Sequence, residues 1–472
     1  MGMVKNIIKY NREVSQKEDA QERILHHREF YIPQSDDAVS NQASRCMDCG
    51  IAYCNYACPL GNVLPDLNAL VADEKWEKAL KMLHKTNNFP EFTGRLCPAL
   101  CEASCTLSIN EEATTTKEIE LKIIEKGFQE GWVKPQYATI KTGRKVAVIG
   151  SGPAGLTVAQ QLCRVGHHVT VYERSDEIGG LLSRGIPDYK LEKSIIERRI
   201  SQLKEEGIRF KTNSHVGIDI TTTEIKSKYD AVCLCGGSTV PRDLNVEGRQ
   251  LNGIHFAMDF LVQQNLINQN KVITADRIDA KDKHVVIIGG GDTGADCLGI
   301  SIRQGATKVS QLELMPRPSE ARTAQMPWPY WPMILRTNTA HEEGGSREWS
   351  IATKHFSGEN GVVNKIHCIR LDWVEEGNRK VMKEIPGSEF VIKADLVLFA
   401  MGFLHPDHLG MLESFDLEKD ERGNVKAKLN QTNKSNIFTA GDMHTGQSLV
   451  CKAIADGREA AKSIDKYLRN DL

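Results

Sequence analysis

No stretch of this 472-residue sequence approaches the roughly 20 consecutive apolar residues that span a bilayer. Its first twenty residues, MGMVKNIIKYNREVSQKEDA, lack the apolar centre and small-residue cleavage site of a secretory signal. Gly2 is present, but Asn6 stands where a myristoylation pattern needs Ser or Thr. Nor is there an excess of positive charge. Lys and Arg number 60 against 62 Asp and Glu, so no basic stripe for nucleic acid is expected. Internal repeats and low-complexity tracts are missing apart from one duplicated unit described below. Together these absences predict a soluble, cytoplasmic protein that binds neither membrane nor nucleic acid. The length predicts about three domains, each with its own core.

Cysteine is plentiful but unevenly placed. Of 13 in the chain, seven lie between Cys46 and Cys105, while Cys163, Cys233, Cys235, Cys297, Cys368 and Cys451 are dispersed. Without a secretory signal a disulfide framework is not expected, so the local group points to metal or redox chemistry. It divides into Cys46-x2-Cys49-x4-Cys54-x3-Cys58-Pro59 and Cys97-Pro98-x2-Cys101-x3-Cys105. A run closing on Cys-Pro is a ferredoxin-type pattern, in which the fourth cysteine often serves the other cluster. This favours Cys46, Cys49 and Cys54 on one centre, with Cys58 joining the second group. The alternatives are structural zinc or buried unligated thiols. Zinc favours paired C-x2-C knuckles, and the second group has none. Two four-iron clusters need eight ligands, one more than the seven local cysteines supply. A carboxylate just after Cys105 is the simplest candidate for the eighth, and TTTKEIE offers Glu118 and Glu120. Cys163, Cys233 and Cys235 read as core residues.

Between the two groups, Leu67, Leu70, Val71, Ala79, Leu80 and Leu83 recur at helical spacing. From Lys145 the texture changes to strand, glycine-rich turn and helix, twice over: KVAVIG at 145–150 and KHVVIIGGG at 283–291. Gly150-Ser-Gly152-Pro153-Ala154-Gly155 has the spacing of a dinucleotide turn. Gly150 allows the turn, Gly152 lets backbone approach a pyrophosphate, and Gly155 lets helix pack on strand. Glu173 closes the next strand, where it can bond a ribose hydroxyl. Gly289-Gly-Gly291-Asp292-Thr293-Gly294 repeats the pattern, with Glu313 in the position of Glu173. Two such units predict one site for a flavin and one for a nicotinamide cofactor. IGGLLSRGIP, with Gly180 and Leu181, and the closing TAGD, with Gly441 and Asp442, suit contacts along an extended FAD. Asp442 reads alternatively as a helix-capping carboxylate. Pro316, Pro318, Pro327, Pro329 and Pro332 make their segment a loop. ADLVLFAMGF and SNIFTAGD read as buried strands, and a last helix starts near Ser448.

RCMDCGIAYCNYACPLGN, GRLCPALCEASC, GSGPAGL, GGLLSRGIPDYKLEK, VVIIGGGDTGADC, MPWPYWP and TAGDMHTGQSLV, in this order, resemble the small subunit of glutamate synthase nearly end to end. The same module resembles the N-terminal half of dihydropyrimidine dehydrogenase and flavin subunits of ferredoxin–NADP oxidoreductases. The resemblance implies an α/β protein: a helical domain holding two 4Fe-4S clusters, then two Rossmann-like domains, the FAD domain interrupted by the NAD(P)H domain. The boundaries expected are 1–143 for the iron–sulfur domain, 144–258 with 404–472 for FAD, and 259–403 for NAD(P)H. It implies FAD contacts from Gly152, Pro153, Ala154, Glu173, Leu181, Lys190 and Asp442. Nicotinamide contacts are implied for Gly291, Asp292, Thr293 and the turn Ala400-Met401-Gly402. Glu120 matches the family's non-cysteine cluster ligand. Where the family has an apolar–Trp pair after its last glycine motif, this chain has Cys451-Lys452. The implied partner is a large, glutamate-forming alpha subunit; a ferredoxin-type acceptor is the alternative. Either way, flavin converts a two-electron hydride into single electrons, and no acid–base side chain is needed for that step. A thioredoxin-reductase-like enzyme would need a C-x-x-C beside the flavin, and only Cys233-x-Cys235 comes near. For the nicotinamide, Glu313 fits the free 2′-hydroxyl of NADH, whereas Arg317 and Arg322 fit a 2′-phosphate. The resemblance favours NADPH.

Overall fold

Leu67, Val71, Ala79, Leu80 and Leu83 close a helical core with Ile119, Ile123 and Ile124. The helices that carry them are α1 (Leu64–Ala72), α2 (Trp76–Thr86) and, after α3 (Pro90–Leu96), α4 (Thr116–Gln129). Pro65 and Pro90 sit in the first turns of α1 and α3, where a missing N–H costs nothing. This computed structural model describes residues 9–377 and 379–469; Gly2 and Asn6 lie outside them. Among the described residues no helix is long and apolar enough to cross a membrane.

The two duplicated units form two five-stranded parallel sheets. The first contains β1 (Lys145–Ile149), β2 (His168–Tyr172), β3 (Arg209–Lys211) and β4 (Ala231–Leu234). The second contains β5 (Ile254–Phe256), β6 (His284–Ile288), β7 (Lys308–Leu312), β8 (Ser346–Glu348) and β9 (Leu396–Phe399). The chain then returns, and β10 (Ile437–Thr439) pairs with β4 to give the first sheet the order β10-β4-β1-β2-β3. The second sheet runs β8-β7-β6-β9-β5. Helices cover both faces of a parallel sheet, so β4, β9 and β10 are buried at every position. The first unit is thus interrupted by the second, as the resemblance implies. α5 (Pro153–Arg164) follows β1, α6 (Asp292–Arg303) follows β6, and α7 (Val450–Leu468) ends the described chain.

Three features depart from the sequence reading. β5 already belongs to the second sheet, so the expected boundary at 258/259 falls inside that unit. A four-stranded antiparallel sheet spans 351–393 and gave no clear signal, because its strands are half exposed and mostly polar. The segment around Arg23, assigned to the helical domain, packs on the second nucleotide unit instead. Arg23 Nε lies 2.7 Å from Glu343 Oε1, and Arg303 grips the same buried carboxylate. The helical domain is tied to the first unit in the same way. Arg199 forms a two-pronged pair with Glu91 at 2.5 and 2.8 Å, both side chains buried. Charges this deep are tolerable only when fully paired, so these contacts hold the three units in one arrangement.

The proline-rich segment is a loop, and it reaches the helical domain. Trp328 packs edge-on against Tyr53, Ser104 Oγ donates to Pro329 O at 2.6 Å, and Arg322 donates to Ala103 O at 2.6 Å.

Candidate functional site

The seven clustered cysteines separate into two sets, and the division differs from their order in sequence. Cys46, Cys49, Cys54 and Cys105 line one cavity together with Tyr53, Asn68 and Leu107. Burial and then the neighbouring Cys105 push the Cys54 thiol up to about 12. Cys58, Cys97, Cys101 and Glu120 form the other set. Burial and then Glu120 push Cys58 up to about 11, and push Cys101 well up as well. Glu120 itself is pushed up to about 8 by burial, opposed by the amide of Asn62, which donates to its Oε1 at 2.8 Å. Cys58 therefore joins the second group as read, but Cys105 crosses back to the first in exchange. Glu118, the other carboxylate considered, accepts from Ser15 N and Oγ at 2.8 and 3.0 Å and faces neither set.

This donor chemistry fits iron–sulfur clusters. Four thiols line the first space, three thiols and the Glu120 carboxyl make up the second set, and the ionised forms within each set repel one another. Cationic iron, when bound, would supply the missing counter-charge. Among the described residues no three His, Cys, Asp or Glu side chains converge on a single ion-sized point; the thiols ring a space instead. Away from these sets, Cys163 donates to Glu206 O at 3.2 Å and Cys233 lies 3.7 Å from Cys235, all buried as core residues.

The first glycine turn has the packing that a pyrophosphate-binding turn requires. Gly150 has φ +105°, and a Cβ there would lie 2.3 Å from Cys235 O. At Gly155 a Cβ would lie 2.0 Å from Gly150 O, whereas at Gly152 it would meet nothing within 4 Å. Two positions are thus closed by packing and the third opens onto the N-terminus of α5, where backbone N–H groups attract an anion. Gly180 packs on Gly152, and Gly441 packs on Ala154, so loops far apart in sequence meet at this turn. Glu173 accepts from Ser151 N at 3.1 Å, Ser151 Oγ at 2.6 Å and Ser175 N at 2.9 Å. Carboxylate oxygens have further lone pairs, so a ribose hydroxyl can still bond there. Beside it a cleft is lined by Gly150, Arg174, His215, Gly236 and Gly237. Asp442 accepts from Ser448 N and Oγ at 3.2 and 3.3 Å, and burial pushes it up to about 6. Pro153 opens α5, and Leu181 is half-exposed at the start of a short helix. Lys190, expected at FAD, pairs through its ammonium with Asp296 of α6, in the second unit.

The second turn repeats the backbone bonds of the first, without the Ser151 hydroxyl bond, since Gly290 has no side chain. Gly290 N donates to Glu313 Oε2 at 2.7 Å and Met315 N to Oε1 at 2.9 Å, as Ser151 and Ser175 do to Glu173. A Cβ at Gly289 would lie 2.2 Å from Ala400 O, and one at Gly294 would lie 2.3 Å from Gly289 O. At Gly291 it would meet nothing within 4 Å, leaving the first turn of α6, with Asp292 and Thr293, open. The Ala400-Met401-Gly402 turn is braced by Gln447 of the closing segment, whose Oε1 accepts from Phe403 N at 2.8 Å. Past β7, the Arg317 and Arg347 guanidinium groups lie 5.6 and 5.4 Å from the Trp349 ring. Arg322, also expected near a 2′-phosphate, instead bonds Ala103 O and Tyr330 O.

Comparison with known proteins places this geometry. Residues 144–457 match the pyridine nucleotide-disulphide oxidoreductase family, and residues 23–132 match dihydropyrimidine dehydrogenase domain II, 4Fe-4S cluster. Over 451 residues the chain is 49% identical to the glutamate synthase (NADPH) small chain of Mycobacterium tuberculosis, covering 94% of this chain and 92% of that one. The chain belongs to the glutamate synthase small-chain family. It is accordingly a pyridine-nucleotide flavoprotein oxidoreductase with FAD and an N-terminal 4Fe-4S domain. Glutamate synthase (NADH) of Schizosaccharomyces pombe is 43% identical over 477 residues, which cover 98% of this chain but 22% of that one. The NADPH complex of FprA from Mycobacterium tuberculosis shares the fold of the two nucleotide units, with a TM-score of 0.56 and 19% identity over 70% of this chain and 85% of that one.

Within this family chain, sequence reasoning missed three things. The exchange of Cys105 left no signal, since its spacing ties it to Cys97 and Cys101. Arg347 lies 30 positions beyond Arg317 and outside any motif. Gln447 was quoted within a motif without a role, although a polar residue beside TAGD at the domain junction was a usable clue.

Proposed function

We propose that this small chain is the electron-input subunit of a glutamate synthase. It would oxidise NADPH at FAD and pass single electrons through two 4Fe-4S clusters to a large, glutamate-forming subunit. The observation that carries the reading is the position of the two donor sets. Leu60 and Leu96, beside Cys58 and Cys97, pack into the core of the flavin unit. Near Cys49, Cys54 and Cys105 the surface instead exposes Ile51, Tyr56 and Ile109, at 62%, 83% and 55%. Flavin, inner cluster, outer cluster and an apolar docking surface then follow one another outward. The S. pombe relative, whose matching part is 22% of one long chain, supports a larger partner for this one.

FAD, when bound, takes up a hydride and releases its electrons one at a time. The residues of the chain do the rest. The N-terminus of α5 at Gly152 would receive the pyrophosphate, Glu173 a ribose hydroxyl, and Gly180, Gly441 and Asp442 the length of the cofactor. Gly291, Asp292, Thr293 and the turn at Met401 would position the nicotinamide nucleotide. Cys46, Cys49, Cys54 and Cys105 would hold one cluster, with Cys58, Cys97, Cys101 and Glu120 holding the other. The test is reconstitution. The chain alone will reduce ferricyanide or a tetrazolium dye with NADPH and form no glutamate from glutamine and 2-oxoglutarate; adding a large subunit will restore glutamate formation. Glutamate made by the chain alone refutes the division of labour. Failure to couple, with rapid ferredoxin reduction, moves the assignment to a ferredoxin-type acceptor.

The preference for NADPH follows from Arg317 and Arg347, a cation pair that Glu320 only partly offsets through its 2.9 Å bridge to Arg317. A charge-assisted bond to phosphate contributes about 1.5–3 kcal/mol. Arg347→Ala should therefore lower kcat/KM for NADPH by about 10- to 100-fold and leave that for NADH within about twofold. Steady-state kinetics with both nucleotides decide it, and a tenfold advantage of NADH in the unmodified chain reverses the preference.

A further inference from the structure

Cys451 stands apart from the buried cysteines of the nucleotide units. It lies in the first turn of α7, 1% exposed, and its sulfur is 3.8 Å from that of Cys97, 354 residues away. That is within hydrogen-bond range for sulfur, and Cys97 is its hydrogen-bond partner among the described residues. We propose that Cys451 donates an S–H···S hydrogen bond to the ligand thiolate of Cys97 and thereby raises the potential of the cluster nearest the flavin. The proposal rests on the reading of Cys97 as a cluster ligand.

The direction of the bond follows from ligation. A thiol bound to iron has lost its proton, so Cys97 can only accept and Cys451 can only donate. Burial keeps water from competing for the Cys451 sulfur, while Cys97 is half-buried. The donor is also held in place. α7 packs along α5 so closely that a Cβ at Gly457 would lie 2.7 Å from Ala154 O, which ties Cys451 to the helix that carries the flavin turn. The first N–H groups of a helix lack intrahelical partners, so the turn bearing Cys451 presents positive backbone charge on the same side. Reduction adds one negative charge to a cluster and its sulfurs. A donor to a ligand sulfur therefore stabilises the reduced form more than the oxidised one. Cys451 is not needed as a ligand itself, because Cys58, Cys97, Cys101 and Glu120 already make four donors.

The experiment is a redox titration, followed by electron paramagnetic resonance, of the full chain purified anaerobically with its cofactors. Cys451→Val removes the donor and adds about one methyl group of bulk; Cys451→Ser keeps a donor. Both variants should retain the iron and labile sulfide of the unmodified chain. In Cys451→Val one cluster should be harder to reduce by about tenfold in its equilibrium, about 59 mV for one electron, with the other cluster unmoved. Cys451→Ser should fall between the two. Deuterium exchange should alter the proton hyperfine couplings of that cluster in the unmodified chain and not in Cys451→Val. Midpoints in Cys451→Val within about twofold of the unmodified equilibrium, at full iron content, overturn the proposal. So does loss of half the iron, which would make Cys451 a ligand. An unmodified chain without labile sulfide overturns the cluster reading first, and iron analysis separates that failure from the others.

Discussion

Cys105→Ala will cost the chain the same cluster as Cys46→Ala, and Cys58→Ala the same cluster as Cys101→Ala. From about eight irons and eight labile sulfides, each variant should fall to about four of each, since one four-iron centre needs its full ligand set. The pairing of effects is what matters. Grouping by run places Cys105 with Cys97 and Cys101, yet it lines the cavity of Cys46, Cys49 and Cys54. The paramagnetic spectrum left behind identifies the surviving cluster, so the comparison needs no crystal. Glu120→Ala should match Cys101→Ala in kind, because Glu120 is the carboxyl neighbour of Cys58 and Cys101. Dye reduction should stay within about twofold in all of them, since hydride uptake precedes the clusters. Glutamate formation with a large subunit should vanish in all of them. A Cys105→Ala spectrum identical to that of Cys101→Ala would refute the crossed assignment. Stoichiometric zinc without labile sulfide in anaerobically purified protein would refute both clusters.

Gly155→Val will abolish FAD retention and lower NADPH-dependent dye reduction by on the order of 100-fold or more. A side chain there overlaps Gly150 O at 2.0 Å and approaches the Cβ of Cys235 at 3.3 Å, so α5 and the turn must separate. Bringing a helix N-terminus to the end of a strand requires that close approach, and without it the backbone N–H groups no longer converge on an anion. Gly152→Ala separates this packing role from the binding role. Its Cβ meets no protein atom within 4 Å, so the flavin-free variant should melt at the same temperature as the flavin-free unmodified chain. Its methyl would nevertheless intrude where the pyrophosphate approaches, and bound FAD should still fall. Flavin absorbance after gel filtration, set beside the melting temperature, gives both readouts. Wild-type FAD content in Gly152→Ala would show that the turn does not carry the pyrophosphate. Gly294→Val, the equivalent change in the second unit, should leave FAD bound and remove the response to NADPH.

Several determinants were legible from residues alone, because each is set within one turn of backbone. A left-handed φ at Gly150, the strand-to-helix contact at Gly155 and their repetition at Gly289 and Gly294 are local demands that leave a local mark. Seven cysteines within sixty residues, one ligand short of two clusters, called for a nearby carboxylate, and the family resemblance pointed to Glu120. Burial on both faces of a parallel sheet made β4 and β9 unbroken apolar runs and left β1, β6 and β10 with one polar residue each. Tertiary structure alone decided which partner each of several equivalent groups would choose. Thiols are chemically identical, so only the folding of α1–α4 sends Cys105 back to Cys46 and Cys58 forward to Cys101. Lys190 was expected at FAD, and folding brings it to Asp296 on α6, a carboxylate of the other nucleotide unit that pairs with its ammonium. Arg322 points to Ala103 O and Arg347 comes to Trp349 because a proline-rich loop and a strand edge bring them there. No periodicity or spacing records such meetings: residues hundreds of positions apart, such as Cys97 and Cys451, become neighbours only when α7 packs on α5.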